Sequence, residues 1–425
     1  MTEHLSGRRP TRTDPTPDTA HQQLLANQRD ALLRAARASV RPEGGFWWLG
    51  EHGAPDPRQP LHTWIACRMT HVFALAHLQQ TPDTADVVDH GVATLRSTLR
   101  DAQYGGWFSA VELGGEPVTD RKSAYEHAFV LLAASSAARA GRPGADQLLA
   151  EAIAVVGERF WDENAGRTRE SWSRDFSELE PYRGANSSMH MVEAFLAVGE
   201  VTGDRRWAQR ALAICEHLVH GVAARHDWRL PEHFTADWEP QLDYNLDQPA
   251  DPFRPYGSTV GHWLEWARLL LHLETALVAP PHWLLEDARA LFTAAVTRGW
   301  SVDGADGFVY TLDWSDRPVV RSRMHWVLAE AIGAAATLWR RTGDHYYEHW
   351  YQTFWDYAVR HLIDPKTGEW HHELDELNQP ANRVWHGRPD VYHGYQAVLL
   401  SQAPIKPSLA GLYDPMGTDQ VEVNR

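Results

Sequence analysis

Gly105-Gly106-Trp107 lies 61 residues after Gly44-Gly45-Phe46, and short turns of the same kind return as Ala165-Gly166-Arg167, His226-Asp227-Trp228, Asp306-Gly307-Phe308 and Gly368-Glu369-Trp370. Counted between middle residues, the intervals are 61, 60, 61, 80 and 62. A period near 60 has room for two helical segments, which is the mark of helical hairpins stacked side by side. Each turn is followed, 18 to 35 residues later, by a histidine near the start of an apolar helix: His71, His127, His190, His262, His325 and His393. The fourth unit is longer by a polar insertion at about residues 240–257, whose Pro and Asp content suits a lid. The spacing predicts a closed ring of six hairpins with the six histidines facing one pocket.

Two kinds of helix alternate along the chain. Residues 72–78, 128–134, 192–198, 329–338 and 396–400 are apolar nearly all round, the pattern of buried helices, whereas 22–39, 146–160 and 204–217 carry one apolar face. An inner and an outer ring produce that alternation. Gly141, Gly203 and Gly343 fit helix C-termini, and Asp146, Asp204 and Asp344 fit the N-caps that follow. Aromatic runs such as 167–172 and 308–314 predict small β-hairpins over one end of the ring.

Composition narrows the function. Forty basic against 56 acidic residues give a net charge of −16, which disfavours nucleic-acid binding through phosphates. No window of 18 apolar residues exists, so no membrane span is expected. Cys67 and Cys215 are the only cysteines and lack metal or CxxC spacing, which fits a reducing, cytoplasmic setting. Residues 1–20 read as a disordered lead-in, 21–408 as one catalytic domain and 409–425 as a loosely held tail.

Several polar residues stand on buried helices. His262 is followed by Glu265 and His190 by Glu193, each pair three apart on one helix face, where a carboxylate can tune an imidazole. Arg68 opens a buried helix and needs an anion there, either a structural partner such as Glu126 or Glu330 or an oxyanion that forms during reaction. Pro389 and Asp390 read as the first turn of the helix that carries His393. His371-His372-Glu373 is the one tight cluster, and the chain offers no HExxH, HxH or paired cysteines, so no metal or organic cofactor is expected.

Cys67-Arg68-Met69-Thr70-His71, the run from Asn186 to Ala194, Gly261-His262-Trp263-Leu264-Glu265-Trp266 and Asp390-Val391-Tyr392-His393 together resemble the N-acylglucosamine 2-epimerase superfamily, over about residues 22–405. The Arg-Met-Thr-His run and the motif ending in Tyr-His most resemble its mannose isomerase branch. The resemblance implies an all-α (α/α)6 barrel, metal-independent sugar chemistry and a monosaccharide substrate. It assigns His262 and His393 as the acid/base pair, with Glu265 and Arg68 beside them. It places His190, Trp64, Asn186, Glu330, Trp385 and Arg254 around the sugar, Arg254 as the counterpart of an arginine in sulfoquinovose-acting members. Aldose–ketose isomerisation and 2-epimerisation stay open on these motifs. An (α/α)6 glycosidase with Glu126 and Glu265 as its carboxylates, and a non-catalytic ring, are the rival classes.

Overall fold

The computed structural model describes residues 19–413. The start of the predicted lead-in, 1–18, and the tail from 414 onward lie outside the described residues. Among those described, twelve α-helices alternate between two rings. The inner ring is α2 (Thr63–Leu78), α4 (Ala124–Arg139), α6 (Ala185–Thr202), α8 (Val260–Ala276), α10 (His325–Thr342) and α12 (Tyr392–Leu400). The outer ring is α1 (Thr19–Ala38), α3 (Ala85–Arg96), α5 (Ala145–Val155), α7 (Arg206–Cys215), α9 (Trp283–Gly299) and α11 (His345–Tyr357). Each inner helix packs on the next, α12 packs back on α2, and α1 packs on α12 to complete the sixth hairpin. The (α/α)6 barrel follows from the 60-residue period.

The inner helices are apolar on every side because they are covered on every side. All fourteen residues from Thr63 to Ala76 of α2 and from Val260 to Leu273 of α8 are buried. Gly203 and Gly343 take φ of 70° and 71° at the ends of α6 and α10, and Gly141 takes 64° just past α4, as expected of helix-ending glycines. Asp344 caps α11 by accepting from the Tyr346 N–H. Asp204 lies two residues before α7 and accepts from the Arg206 N–H at 3.0 Å. Asp146 is not a cap: Gly144 holds that position and Asp146 sits in the first turn of α5.

One end of the barrel is built from short antiparallel ladders that join each unit to its neighbour. Leu61–His62 pairs with Ala110–Val111, Arg121–Ser123 with Ser171–Ser173, Tyr182–Gly184 with His233–Thr235, Ser258–Thr259 with Thr311–Leu312, and Arg323–Met324 with Glu373–Leu374. The predicted hairpins are therefore split. Trp161–Asp162 and Arg167–Thr168 form one within a unit, while Ser171–Ser173 pairs across to the unit before. The ladders satisfy the orphan N–H groups at the inner helix starts. Thr63, Ala124, Ala185, Val260 and His325 donate to the carbonyls of Ser109, Glu170, Glu232, Tyr310 and His372, at 3.0, 2.7, 2.9, 3.2 and 3.0 Å. Those five acceptors occupy one repeated position, three to five residues past each turn.

The other end is closed by the chain beyond α12. The Ser408 N–H donates to Glu200 at 2.9 Å, Arg139 donates to the Tyr413 carbonyl at 3.2 Å, and Leu409 and Ala410 are buried. Residues 408–413 thus form part of the packed end rather than the loosely held tail that composition suggests. No helix among the described residues is long and apolar enough to cross a membrane.

Candidate active site

The ladder end of the ring opens onto a cavity whose empty space, counting its open mouth, is about 690 Å³. Of the sequence-derived residues, Trp64, Arg68, Asn186, His190, His262, Glu265, Trp385 and His393 line it. Glu330 and Arg254 do not. Tyr125, Phe253, Tyr310, His325, Trp326, His372 and Asp390 are also part of the wall. Glu126 is not part of the lining. It pairs with Ser123, which removes the carboxylate pair that a glycosidase reading requires.

Helix α8 shows how the repeat aims side chains. His262, Glu265, Arg268 and His272 recur three or four apart, so they run down one face from mouth to floor. His262, at the first turn, meets the loop that leads into α8, and its Nδ1 lies 2.9 Å from Glu232 Oε2. The other Glu232 oxygen accepts from the Thr259 N–H at 3.2 Å. Glu232 therefore ties α6 through its carbonyl and α8 through its side chain. The expected His262–Glu265 pair does not form, because Glu265 lies one turn deeper, facing Arg268 at 3.6 Å.

His393 has the same arrangement built from different elements. Its Nδ1 lies 2.9 Å from Glu330 Oε1, and the other Glu330 oxygen accepts from Arg268 Nε at 2.8 Å. Glu330 thus stands behind His393 rather than against the ligand. Against the cost of burial, the Arg268 and His393 charges hold Glu330 below the usual carboxylate range. Burial lowers His393 from 6.5, partly offset by its Glu330 bond. A carboxylate accepts only, so Nδ1 is the protonated nitrogen of both histidines and Nε2 is left for the cavity.

Three buried carboxyls surround Arg268, and they differ. Glu193 accepts from the Tyr392 hydroxyl and from Gln396 Nε2, and despite burial it is held below 4.5. Glu265 has no hydrogen bond to either oxygen, and burial together with the Glu330 charge pushes it well above 4.5, the direction that favours its neutral form. Ligand atoms of Glu265, Glu330 and His393, and of His190, Glu193 and Glu265, converge closely enough to hold a metal ion. Arg268 already supplies the positive charge among these carboxyls.

His190 Nδ1 is 3.9 Å from Glu193 and 3.7 Å from Glu265, beyond hydrogen-bonding range, and burial lowers the ring to about 4. The i, i+3 spacing gives proximity here and no bond. Arg68 takes neither Glu126 nor Glu330 as partner. It donates to Asp390 at 3.0 Å and to the Tyr125 hydroxyl at 3.1 Å, with its guanidinium against the Trp64, Phe129 and Tyr392 rings at 4.9, 4.6 and 4.8 Å. Its Nε has no partner. Pro389 and Asp390 precede α12 rather than start it, and Asp390 accepts from the Tyr392 N–H at 2.8 Å.

Four of the six repeated histidines line the cavity. His71 is the ninth residue of α2, roughly 12 Å along the helix at 1.5 Å per residue. Its Nδ1 bonds Ser136 Oγ at 2.6 Å. His127 Nδ1 donates to the Ser123 carbonyl at 2.7 Å, and its Nε2 accepts the Trp107 N–H at 3.2 Å. That ring holds the aromatic turn, and it explains Gly106: a Cβ there would lie 2.8 Å from His127 Nε2. The insertion at 240–257 lies over the mouth and contributes Pro252, Phe253 and Pro255 to the wall. Arg254 points away from the cavity, donating to both oxygens of Glu180 at 2.9 and 3.2 Å and lying 4.0 Å from the Tyr182 ring. It is therefore not a ligand contact here.

Glu232, Tyr125 and His372 were missed by sequence reasoning. Glu232 and His372 hold the repeated acceptor position after the turns, so aligning the six units on their turns would have found both.

Comparison with known proteins agrees with this fold. The chain is 58% identical over 403 residues to the D-mannose isomerase of Thermobifida fusca, covering 95% of this chain and 99% of that protein. It is 51% identical over 395 residues to the D-mannose isomerase of Pseudomonas cannabina pv. alisalensis, covering 92% and 95%. A crystal structure of a D-mannose isomerase superposes with a TM-score of 0.84 at 28% identity, covering 91% of this chain and 99% of that one. The family described as N-acylglucosamine 2-epimerase (GlcNAc 2-epimerase) matches residues 44–397, and the chain belongs to it.

Proposed function

We propose that the chain is an aldose–ketose isomerase that interconverts D-mannose and D-fructose through an enediolate, using protein side chains alone. The observation that carries this is the pair His262 and His393, which line one cavity with each Nδ1 held by a buried carboxylate at 2.9 Å. A carboxylate at Nδ1 supports the imidazolium that forms when Nε2 takes a proton, as general acid–base catalysis needs. His262 opens the sugar ring and moves protons among its oxygens. His393 takes the C2 proton of the open aldose as the C1 carbonyl becomes an enediolate, then delivers that proton to C1 as C2 becomes the ketone. Arg68, fixed by Asp390 and with a free Nε, stabilises the enediolate oxygen. Glu265, as a neutral acid, donates to a sugar oxygen. His190 and Asn186 bind hydroxyls, and Trp64 and Trp385 cover the apolar sugar face.

The same arrangement favours a neutral hexose over one with a sulfonate at C6. Arg254 and Arg388 are both neutralised, by Glu180 at 2.9 Å and by Glu369 at 2.9 Å. A cytoplasmic location belongs to the same reading, supported by the two free thiols, Cys67 and Cys215. Proton NMR of the protein with D-mannose in D2O tests the proposal. Growth of D-fructose signals is the expected result. Growth of D-glucose without fructose makes the enzyme a 2-epimerase, and an unchanged spectrum removes mannose as substrate.

A further inference from the structure

We infer that His325 is a specificity-determining residue of this site, whose Nε2 accepts a hydrogen bond from one hydroxyl of the sugar. The inference rests on the reading of the cavity as a hexose site. His325 is the first residue of α10, is 7% exposed and lines the cavity together with His262 and His393. Its Nδ1 lies 3.2 Å from the His372 carbonyl oxygen. A carbonyl only accepts, so Nδ1 carries the hydrogen and Nε2 carries a lone pair. That Nε2 is buried and has no hydrogen-bond partner among the described residues. A buried acceptor left empty is costly and rare, so a polar cavity wall that holds one is built for a donor.

The ring's orientation is fixed from two sides. The His325 backbone N–H also donates to the His372 carbonyl, at 3.0 Å, and the His372 ring stacks on the His325 ring at 3.7 Å with an interplanar angle of 17°. The contrast with the acid/base histidines lies in the anchor. His262 and His393 are held by carboxylates, which favour a cation, and His325 by a neutral carbonyl. Burial first, then the neighbouring His393, lower His325 to about 3, while Asp390 opposes them. His372 falls well below 6.5 through burial, His325 and Arg388. His325 stays neutral in working conditions and presents a fixed lone pair. A hydroxyl satisfies it, whereas an oxygen without a hydrogen is repelled.

The test compares wild type with His325→Phe, which keeps a ring of similar outline over His372, on D-mannose and its 3-, 4- and 6-deoxy analogues. For one deoxy sugar, wild-type kcat/KM is expected to fall on the order of tenfold or more, because its loss leaves Nε2 empty. His325→Phe is expected to lose a similar factor on mannose, to show no added loss on that deoxy sugar, and to keep the wild-type acidic limb of its pH profile. Equal deoxy penalties in wild type and variant, or a displaced limb, overturn the inference. If His325→Phe does not fold, His325→Asn carries the same comparison. Calorimetric binding of these sugars needs no turnover and separates the two readings. A wild type that binds mannose without isomerising it defeats the functional proposal alone. A variant with wild-type affinity for all four sugars defeats this inference alone.

Discussion

His127 in the second unit and His393 in the sixth stand at the same place in the repeat, near the start of an inner helix, and they have opposite fates. His127 is saturated by backbone, with the Ser123 carbonyl on one nitrogen and the Trp107 N–H on the other, and burial lowers it to about 3. His393 has a carboxylate on Nδ1 and leaves its other nitrogen to a cavity. The repeat therefore supplies a location, and the partner supplies the role. A backbone carbonyl fixes a ring, whereas a carboxylate also stabilises the cation needed for proton transfer.

The largest expected effect separates these two rings. His393→Asn should lower kcat by at least about 10³-fold with Tm unchanged, since general acid–base groups contribute about 10²–10⁴ and this one is the proposed carbon base. His127→Asn should do the reverse, costing on the order of 1–3 kcal/mol for the unsatisfied Trp107 N–H while leaving kcat close to wild type. Steady-state kinetics and thermal melts of the pair decide it. A kcat loss in His127→Asn comparable to that in His393→Asn would erase the distinction between the units.

The carboxylates come next. Glu232→Gln should reduce kcat by about 10²-fold, because the amide can still accept from His262 Nδ1 but cannot support an imidazolium. Glu330→Gln should cost activity similarly and also stability, about 3–5 kcal/mol, because it removes the 2.8 Å partner of the buried Arg268. It carries a pH signature as well. The Glu330 bond raises His393, so without it His393 falls further below 6.5. Catalysis needs the free base, so the acidic limb of kcat/KM should move to lower pH. A limb that stays in place means that His393 does not set it.

Much of this was legible in the sequence, for a physical reason. Ring closure forces inner helices to be apolar all round, and the turns recur because every hairpin needs one, so the 60-residue period carries the fold. Arg68, His190, His262, Glu265 and His393 were visible because polar groups on buried helices require explanation. Their partners were not. His262 pairs with Glu232 across 30 positions, His393 with Glu330 across 63, and Arg68 with Asp390 across 322. The i, i+3 rule finds residues on a shared face, yet the loop that leads into a helix can reach a first-turn histidine ahead of the helix's own residues. Glu265 lost His262 to Glu232 in that way.

Glu265 and Glu330, both buried beside Arg268, sharpen the comparison further. The same surroundings push Glu330 down and Glu265 up, so Glu265→Gln keeps the shape and hydrogen-bonding capacity of the neutral acid that this shift favours. A group whose folded pKa is raised contributes stability that is present below its unfolded value, near 4.5, and is lost as pH rises toward the folded value. Wild type and Glu265→Gln should therefore melt alike below about pH 4, and the variant should gain relative to wild type as pH rises above 4.5. Its kcat should fall less than that of Glu330→Gln, since an amide N–H can still donate to the sugar. A variant that loses stability with rising pH would make Glu265 an ionised partner of Arg268.

The smallest effect belongs to Arg254→Ala, and it isolates the second requirement of the comparison. Arg254 has a carboxylate, like His262 and His393, at a comparable distance of 2.9 Å. What it lacks is the cavity: its side chain and that of Glu180 are 31% and 23% exposed, and neither lines the site. A partly exposed ion pair contributes about 0–1 kcal/mol, so its loss should change kcat/KM for mannose by less than about fivefold. Any effect should appear in KM, because Phe253 and Pro255 on either side of Arg254 line the mouth and their loop loses one anchor. Raising the salt concentration should weaken the wild-type pair and narrow the gap between the two proteins. A kcat loss as large as that of Glu232→Gln would mean that a carboxylate-paired cation outside the cavity takes part in the chemistry, and the rule drawn from His127 and His393 would then need a third term.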